Sequence, residues 1–157
     1  MKTTLTLITL SCALITASPA VGGAYLVFTR HSPRFTTVST NLLFAIQMVE
    51  SSGRPGKIQG DFNKKTQKYE ALGPFQIHFR YWADSLMFNP SIGGKYQDCF
   101  DYNYSVKIVC SYMERYGKKY IESGDSESLA RLHNGGPGGV KSSATDAYWL
   151  KVKKYLK

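Results

Sequence analysis

The sequence predicts one mainly helical α+β domain that carries a small β hairpin. Apolar residues recur at three- and four-residue spacing in residues 42–49, 101–116 and 146–156, which is typical of helices with one buried face. Two short extended runs, residues 57–62 and 67–71, flank an Asn-Lys-Lys turn and predict the hairpin. A length of 157 residues, of which 43% are apolar and 13% aromatic, suits a single core.

The beginning of the chain has the pattern of a secreted protein. A basic residue, an apolar run and three small residues predict a signal peptide over residues 1–20 and a domain over residues 21–157. The apolar run, residues 5–17, is too short to span a membrane. The alternative is an uncleaved anchor that continues through residues 25–28, and Pro19 disfavours it. We therefore expect an extracellular protein without stable membrane insertion.

The first predicted helix ends in a carboxylate. The apolar face of residues 42–49 leads to Glu50, and the Ser-Ser-Gly sequence at 51–53 with Pro55 predicts a stop there. Burial and the negative end of the helix dipole both raise the pKa of such a carboxyl group, as a general acid near neutral pH requires. The alternative is a helix-end Glu that faces water, which we would prefer if Glu50 stood alone.

The middle of the chain predicts two further helices. Residues 79–86 form a short one, in which Tyr81 and Trp82 are interpreted as core residues rather than as a platform for a ligand. Residues 101–116 form a longer, buried helix, and Gly117 is expected to end it.

The last third predicts a short helix, a loop and a terminal helix. Asp125 is the expected N-cap of a helix that ends near Arg131, which leaves residues 133–137 as a loop. The glycines of that loop permit close approach of a ligand, although a tight turn would also use them. The terminal helix, residues 146–156, turns most of its lysines to solvent.

Cysteine and histidine usage predicts no metal site and no cofactor. Cys99 and Cys110 remain once the signal peptide is removed. On one helix they would lie roughly 16 Å apart, which is beyond disulfide reach, so buried thiols are expected. The three histidines share no ligand spacing with each other or with the cysteines.

The formal net charge of +9 indicates an anionic partner. Bacterial cell walls are such a partner, although solubility alone would also explain the charge. Nucleic acid is not expected as a partner, because the chain has no zinc-finger spacing, no RNA-recognition pattern and no long Lys/Arg block.

Five motifs in order carry a family resemblance over about residues 42–155. Glu-Ser-Ser-Gly at 50–53, followed by Gly-Pro-Phe-Gln-Ile at 73–77, resembles the lysozyme-like superfamily. Three later motifs resemble the invertebrate-type, destabilase-like lysozymes more specifically: Tyr-Met-x-Arg-Tyr at 112–116, Ala-Arg-Leu-His-Asn-Gly-Gly-Pro at 130–137 and Thr-x-x-Tyr-Trp at 145–149. The resemblance implies a lysozyme-like fold whose cleft lies between the hairpin and the loop of His133.

The resemblance also implies an activity: hydrolysis of the β-1,4 bond between N-acetylmuramic acid and N-acetylglucosamine in peptidoglycan, with retention, by a monomeric enzyme. Glu50 would be the acid and Asp61 the second carboxylate, with Glu70 as the competing candidate. The residues expected to contact the acetamido sugars are Gln76, Ile77, His133, Asn134 and Gly135.

Three alternatives stay open or are disfavoured at this point. A lytic transglycosylase would use Glu50 alone, and a non-catalytic cationic wall-binding protein would use neither carboxylate. Some members of the family are credited with isopeptidase activity linked to a serine before the Gly-x-x-Gln segment. Residues 70–72 here are Glu-Ala-Leu, so we do not expect that activity.

Overall fold

The computed structural model describes residues 25–27 and 36–157. The predicted signal peptide and its boundary near residue 20 lie outside the described residues. In the described part, no helix is both long and apolar enough to cross a bilayer.

Within residues 25–27 and 36–157, five α-helices and two small antiparallel sheets form the fold, which confirms the mainly helical α+β prediction. The helices are α1 (Thr40–Ser51), α2 (Phe79–Phe88), α3 (Tyr102–Ser123), α4 (Ser126–Gly135) and α5 (Asp146–Lys153). Short 3₁₀ helices cover Pro90–Ile92, Tyr96–Phe100, Gly136–Lys141 and Ser143–Thr145. Strands β1 (Tyr25–Val27) and β2 (Thr36–Val38) form one sheet, and β3 (Gln59–Asn63), β4 (Lys68–Leu72) and β5 (Ile77–His78) form the other in that order.

The core is built around α3. Ile108, Val109 and Met113 on α3 are fully buried, and Leu42 and Ile46 of α1 belong to the same cluster. Each such side chain contributes roughly 1.5–3 kcal/mol by leaving water. The predicted helix faces are therefore confirmed as the faces that hold the domain together.

The predicted hairpin is confirmed, and a third strand extends it. Asn63 caps the turn between β3 and β4 because its Oδ1 accepts hydrogen bonds from the backbone N–H groups of Lys65 (2.9 Å) and Thr66 (3.3 Å). The sequence does not predict strand β5, since two residues are too short to give an alternating pattern. The strand matters for the site because it brings His78 beside β4.

The expected stop at Gly117 is wrong. Helix α3 continues to Ser123, with a kink at Gly117 (φ −133°, ψ 21°), and ends at Gly124 in the left-handed conformation. A Cβ atom at position 117 would lie 2.7 Å from Leu132 of α4. The glycine is thus needed for close helix packing.

The expected loop at residues 133–137 is wrong, because α4 includes residues 133–135 and a 3₁₀ helix begins at Gly136. Asp125 caps α4 as predicted, accepting a hydrogen bond from the Ser128 backbone, but the helix runs on through His133 and Asn134. It ends at Gly136, whose φ of +67° is unfavourable for other residues. His133 therefore projects from the last turn of a helix.

Both remaining cysteines are buried free thiols, as expected. Cys99 lies in the 3₁₀ helix before α3 and Cys110 lies within α3. Burial raises the pKa of each thiol to about 12, so neither is reactive near neutral pH.

Candidate functional site

A cleft of about 310 Å³ lies between the helices and the three-stranded sheet. Its helical wall is formed by Glu50, Tyr81, His133 and Asn134, and its sheet wall by Asp61, Gln76 and His78. This is the position expected from the sequence, between the hairpin and the segment of His133.

Glu50 lies in the last turn of α1, as predicted, and its side chain is only 18% exposed. The helix ends two residues later at Ser52, which adopts the left-handed conformation. The hydroxyl of Tyr148 on α5 donates a hydrogen bond of 2.6 Å to Oε1 of Glu50. The carboxyl group is therefore held in one orientation while its environment is mostly protein.

Burial raises the pKa of Glu50 to about 7. The hydrogen bond from Tyr148 opposes that rise, the nearby negative charge of Asp61 adds to it, and Lys151 lowers it. Desolvation is the largest of these effects because the charged form loses its water without gaining a close cation. A carboxyl group of this kind can donate a proton near neutral pH.

His133 supports Glu50 without carrying a charge. Its side chain is 4% exposed, and its Nε2 lies 3.7 Å from Oε1 of Glu50. Burial lowers the pKa of the imidazole to about 4, against a smaller opposite effect of a hydrogen bond with the Phe75 backbone. At neutral pH the contact is thus between a neutral ring and the carboxyl group, and it leaves the pKa of Glu50 high.

Tyr81 fixes His133 in place. Its hydroxyl lies 3.2 Å from Nδ1 of His133, and its ring stacks on Tyr112 with centroids 3.7 Å apart. The side chain of Tyr81 thus has one edge in the core and one in the cleft. The interpretation of Tyr81 as a core residue alone is corrected, because the ring also lines the cleft.

Asp61 is the exposed partner across the cleft. Its side chain is 68% exposed, and its Oδ2 lies 2.8 Å from Nε2 of His78. Its backbone φ is +51°, although the pairs Gly60–Ala71 and Phe62–Tyr69 keep the register of β3 and β4 on either side. Asp tolerates this region better than most residues, and local strain of this kind clusters at functional sites.

Gln76 also has a left-handed backbone, with φ of +48°. Its Nε2 donates a hydrogen bond of 2.9 Å to the carbonyl oxygen of Gly73, which fixes the side chain at the cleft. A Cβ atom at position 60 would overlap the Gln76 amide, so the glycine on β3 makes room for it.

Three predicted site residues lie outside the cleft. Glu70 projects from β4, where its carboxylate accepts a hydrogen bond from the Asn63 amide. Ile77 is 1% exposed and packs in the core, so its side chain does not line the cleft. Gly135 follows Asn134 on the exposed surface and is not among the lining residues.

The sequence alone does not predict that Tyr148 contacts Glu50 or that His78 contacts Asp61. Tyr148 belongs to the Thr-x-x-Tyr-Trp motif, which signals the family but not the contact with Glu50. His78 had no signal beyond its position after Gln76 and Ile77. In the described part of the chain, no three His, Cys, Asp or Glu side chains are grouped so that they could hold a metal ion.

Comparison with known proteins gives consistent matches. The Destabilase family model matches residues 57–155. Lysozyme 1 of Crassostrea virginica is 38% identical over 126 residues, 78% of this chain and 64% of that protein. A lysozyme of Magallana gigas is 35% identical over 117 residues, 74% of this chain and 79% of that protein.

A solved structure agrees with the sequence matches. The crystal structure of Tapes japonica lysozyme superimposes with a TM-score of 0.60 at 33% identity, over 74% of this chain and 89% of that one. The chain spans less than two thirds of the length of the Crassostrea virginica relative.

Proposed function

Because the chain belongs to the destabilase family and is similar to invertebrate lysozymes, we propose that it is a secreted muramidase acting on bacterial peptidoglycan. The bond cleaved is the β-1,4 bond between N-acetylmuramic acid and N-acetylglucosamine. One observation carries the proposal: a buried carboxyl group with a raised pKa, Glu50, shares a cleft with an exposed carboxylate, Asp61.

Glu50 is the general acid in this proposal. Its proton passes to the glycosidic oxygen as the bond to the anomeric carbon breaks. Tyr148 and His133 act as positioning residues for the acid in this proposal, because each contacts the carboxyl group of Glu50. The raised pKa, about 7, keeps the acid form populated in neutral surroundings.

Asp61 is the second carboxylate in this proposal. It stabilises the positive charge that develops on the sugar, and for retention it forms the covalent intermediate that water then hydrolyses. His78 orients it through the contact to Oδ2. Gln76 and Asn134 supply amide groups that suit the acetamido substituents of the substrate.

The cleft favours this activity over the alternatives. A lytic transglycosylase needs only the acid, whereas here Asp61 shares the cleft with it. An isopeptidase of the serine type needs a hydroxyl nucleophile, and in the part of the chain that the structure describes, neither serine nor threonine lines the cleft.

Product analysis tests the proposal. The mature protein, residues 21–157, is incubated with purified peptidoglycan, and the soluble products are identified by mass. Reducing muropeptides are expected, and they should be absent with Glu50→Gln protein. Anhydro products would assign the chain to the transglycosylases, and no products would leave a wall-binding protein.

Secretion has its own test. We expect the full chain, expressed in animal cells, to appear in the medium with an N-terminus near Val21. Retention of the protein in the membrane fraction with Met1 still present would contradict the proposed signal peptide.

A further inference from the structure

A second, larger cavity shares the hairpin and the first turn of α2 with the cleft. Its volume is about 940 Å³, and we call it the aromatic groove. Tyr69 of β4, Phe79 and Trp82 of α2, and Tyr96 line it. None of the seven residues that line the cleft also lines the groove.

The rings of the groove are held in fixed positions. The hydroxyl of Tyr96 is 2.7 Å from the carbonyl oxygens of both Glu70 and Ile77. The indole N–H of Trp82 donates a hydrogen bond of 2.9 Å to the Tyr104 hydroxyl. The polar atoms of Tyr96 and Trp82 thus already have hydrogen-bond partners within the protein, and the apolar faces of the rings line the groove. A ligand can therefore bind without first ordering these side chains.

Phe79 is the most exposed of these rings. It is 57% exposed, although its centroid lies only 5.4 Å from those of Trp82 and Tyr96. Its ring therefore adds apolar surface to a preformed wall without being covered by the protein. Exposed aromatic surface in a concave site is typical of ligand binding.

The charge of the groove restricts its occupant. Lys68 and Lys95 line it, and neither forms an ion pair within residues 36–157. Among the described residues, three glutamines also line it, and no Asp or Glu does. A ligand that matches this wall has carboxylates for the lysines, amides for the glutamines and apolar groups for the rings. A short acidic peptide has all three, and a neutral sugar chain lacks the first.

We propose that the aromatic groove binds the stem peptide of peptidoglycan, the short peptide carried by N-acetylmuramic acid, with its carboxylates at Lys68 and Lys95. This rests on the proposed function, in which the sugar chain occupies the cleft. The two sites are formed by neighbouring residues of the chain, since His78 lines the cleft and the next residue, Phe79, lines the groove. In this proposal, the peptide branch of a sugar bound in the cleft continues into the groove.

Peptide binding tests the proposal independently of catalysis. A synthetic stem tetrapeptide with a blocked N-terminus, N-acetyl-L-Ala-γ-D-Glu-L-Lys-D-Ala, is titrated into wild-type protein and followed by calorimetry. Because the peptide has no glycosidic bond, the result does not depend on hydrolysis. We expect saturable binding that weakens roughly tenfold in Lys68→Glu/Lys95→Glu protein, since two attractions become repulsions.

A matched variant controls for net charge. Lys107 and Lys153 are exposed and line neither cavity, so Lys107→Glu/Lys153→Glu protein should bind the peptide as the wild type does. Equal weakening in both double variants would overturn the proposal. Absence of saturable binding by the wild type would also overturn it.

An aromatic pair of variants tests the groove without a change of charge. Phe79→Ala should weaken peptide binding several-fold, whereas Phe44→Ala, at a ring of α1 that is 48% exposed, should not. Unchanged affinity in Phe79→Ala protein would contradict the proposal.

Loss of affinity for a peptide-free chitin hexasaccharide in the Lys68→Glu/Lys95→Glu protein would assign the groove to sugar instead.

Activity measurements separate this proposal from the proposed function. The ratio of kcat/KM for peptidoglycan fragments with and without their stem peptides should fall in the Lys68→Glu/Lys95→Glu protein but not in the control. If no fragment is cleaved while the tetrapeptide still binds, the muramidase proposal fails and the groove stands. If fragments are cleaved at a ratio that the variant does not alter, the groove proposal fails.

Discussion

Glu50 and Asp61 carry the same functional group in opposite environments of one cleft. The Glu50 side chain is 18% exposed, at a helix end, and takes a hydrogen bond from a tyrosine 98 residues away. The Asp61 side chain is 68% exposed, on a strand, and contacts an exposed histidine. The buried carboxyl group on the helical wall can hold a proton near neutral pH, whereas the exposed group on the sheet wall presents its carboxylate to the cleft.

The largest expected effect on activity belongs to Glu50, the proposed general acid. Glu50→Gln protein keeps a hydrogen-bond acceptor for Tyr148 but has no proton to donate. We expect kcat on peptidoglycan fragments to fall by roughly a thousandfold or more, the range of general acid catalysis. Loss of less than tenfold in a reducing-sugar assay would contradict this role.

The second largest effect concerns the exposed member of the pair. Asp61→Asn should lower kcat on the order of a hundredfold, because it removes the charge that stabilises the transition state. Glu70→Gln is the matched control, since Glu70 lies on the same hairpin but outside the cleft. Near-normal activity in Asp61→Asn with an inactive Glu70→Gln would exchange their roles.

Stability should depend on pH through Glu50. Its pKa in the folded protein, about 7, is above the ordinary value of 4.5, so the stabilising effect of its proton is complete below pH 4.5 and is lost as the pH rises through 7. Glu50→Gln protein has no carboxyl group to ionise at this position, so it does not lose this stability as the pH rises. Its free energy of unfolding should exceed that of the wild type by up to about 3 kcal/mol at pH 8.

Denaturant unfolding at two pH values measures that effect. At pH 4 both proteins carry an uncharged group at position 50, so the difference between them should largely vanish. If the two proteins differ in their free energy of unfolding by the same amount at pH 4 and pH 8, burial of the Glu50 charge does not destabilise the folded protein.

The smallest expected effect on activity belongs to Tyr148, which donates a hydrogen bond to Glu50. Tyr148→Phe removes a hydrogen bond that lowers the pKa of Glu50, so the alkaline limb of the kcat/KM profile should move to higher pH. We expect kcat to fall roughly tenfold as the carboxyl group loses its orientation. Tyr155→Phe, at an exposed tyrosine after α5, is the control. A limb that moves to lower pH would contradict the assigned hydrogen bond.

Local patterns predict the helical wall well. Apolar spacing and the Ser-Ser-Gly stop are short-range signals, and together they are enough to put Glu50 in the last turn of α1. The contact with Tyr148 has no such signal, because it joins the two ends of the domain through the packing of α1 against α5.

The sheet wall is harder to predict. Ile77 and His78 are neighbours in strand β5, and neighbouring strand residues point to opposite faces, so His78 lines the cleft while Ile77 is buried in the core. The orientation of Asp61 depends on a positive φ inside a strand, for which the sequence has no glycine signal. The sequence predicts a loop at His133 because glycines follow it closely, whereas the helix continues until Gly136.

Direct titration of Glu50 tests whether one carboxyl group of the cleft holds its proton near neutral pH. The protein is labelled with ¹³C at glutamate carboxyl groups, Glu50→Gln identifies the resonance, and its chemical shift is followed from pH 3 to pH 9. A midpoint near 7 is expected. A midpoint near the ordinary value of 4.5 would contradict it, because Glu50 would then be ionised where a general acid must be protonated.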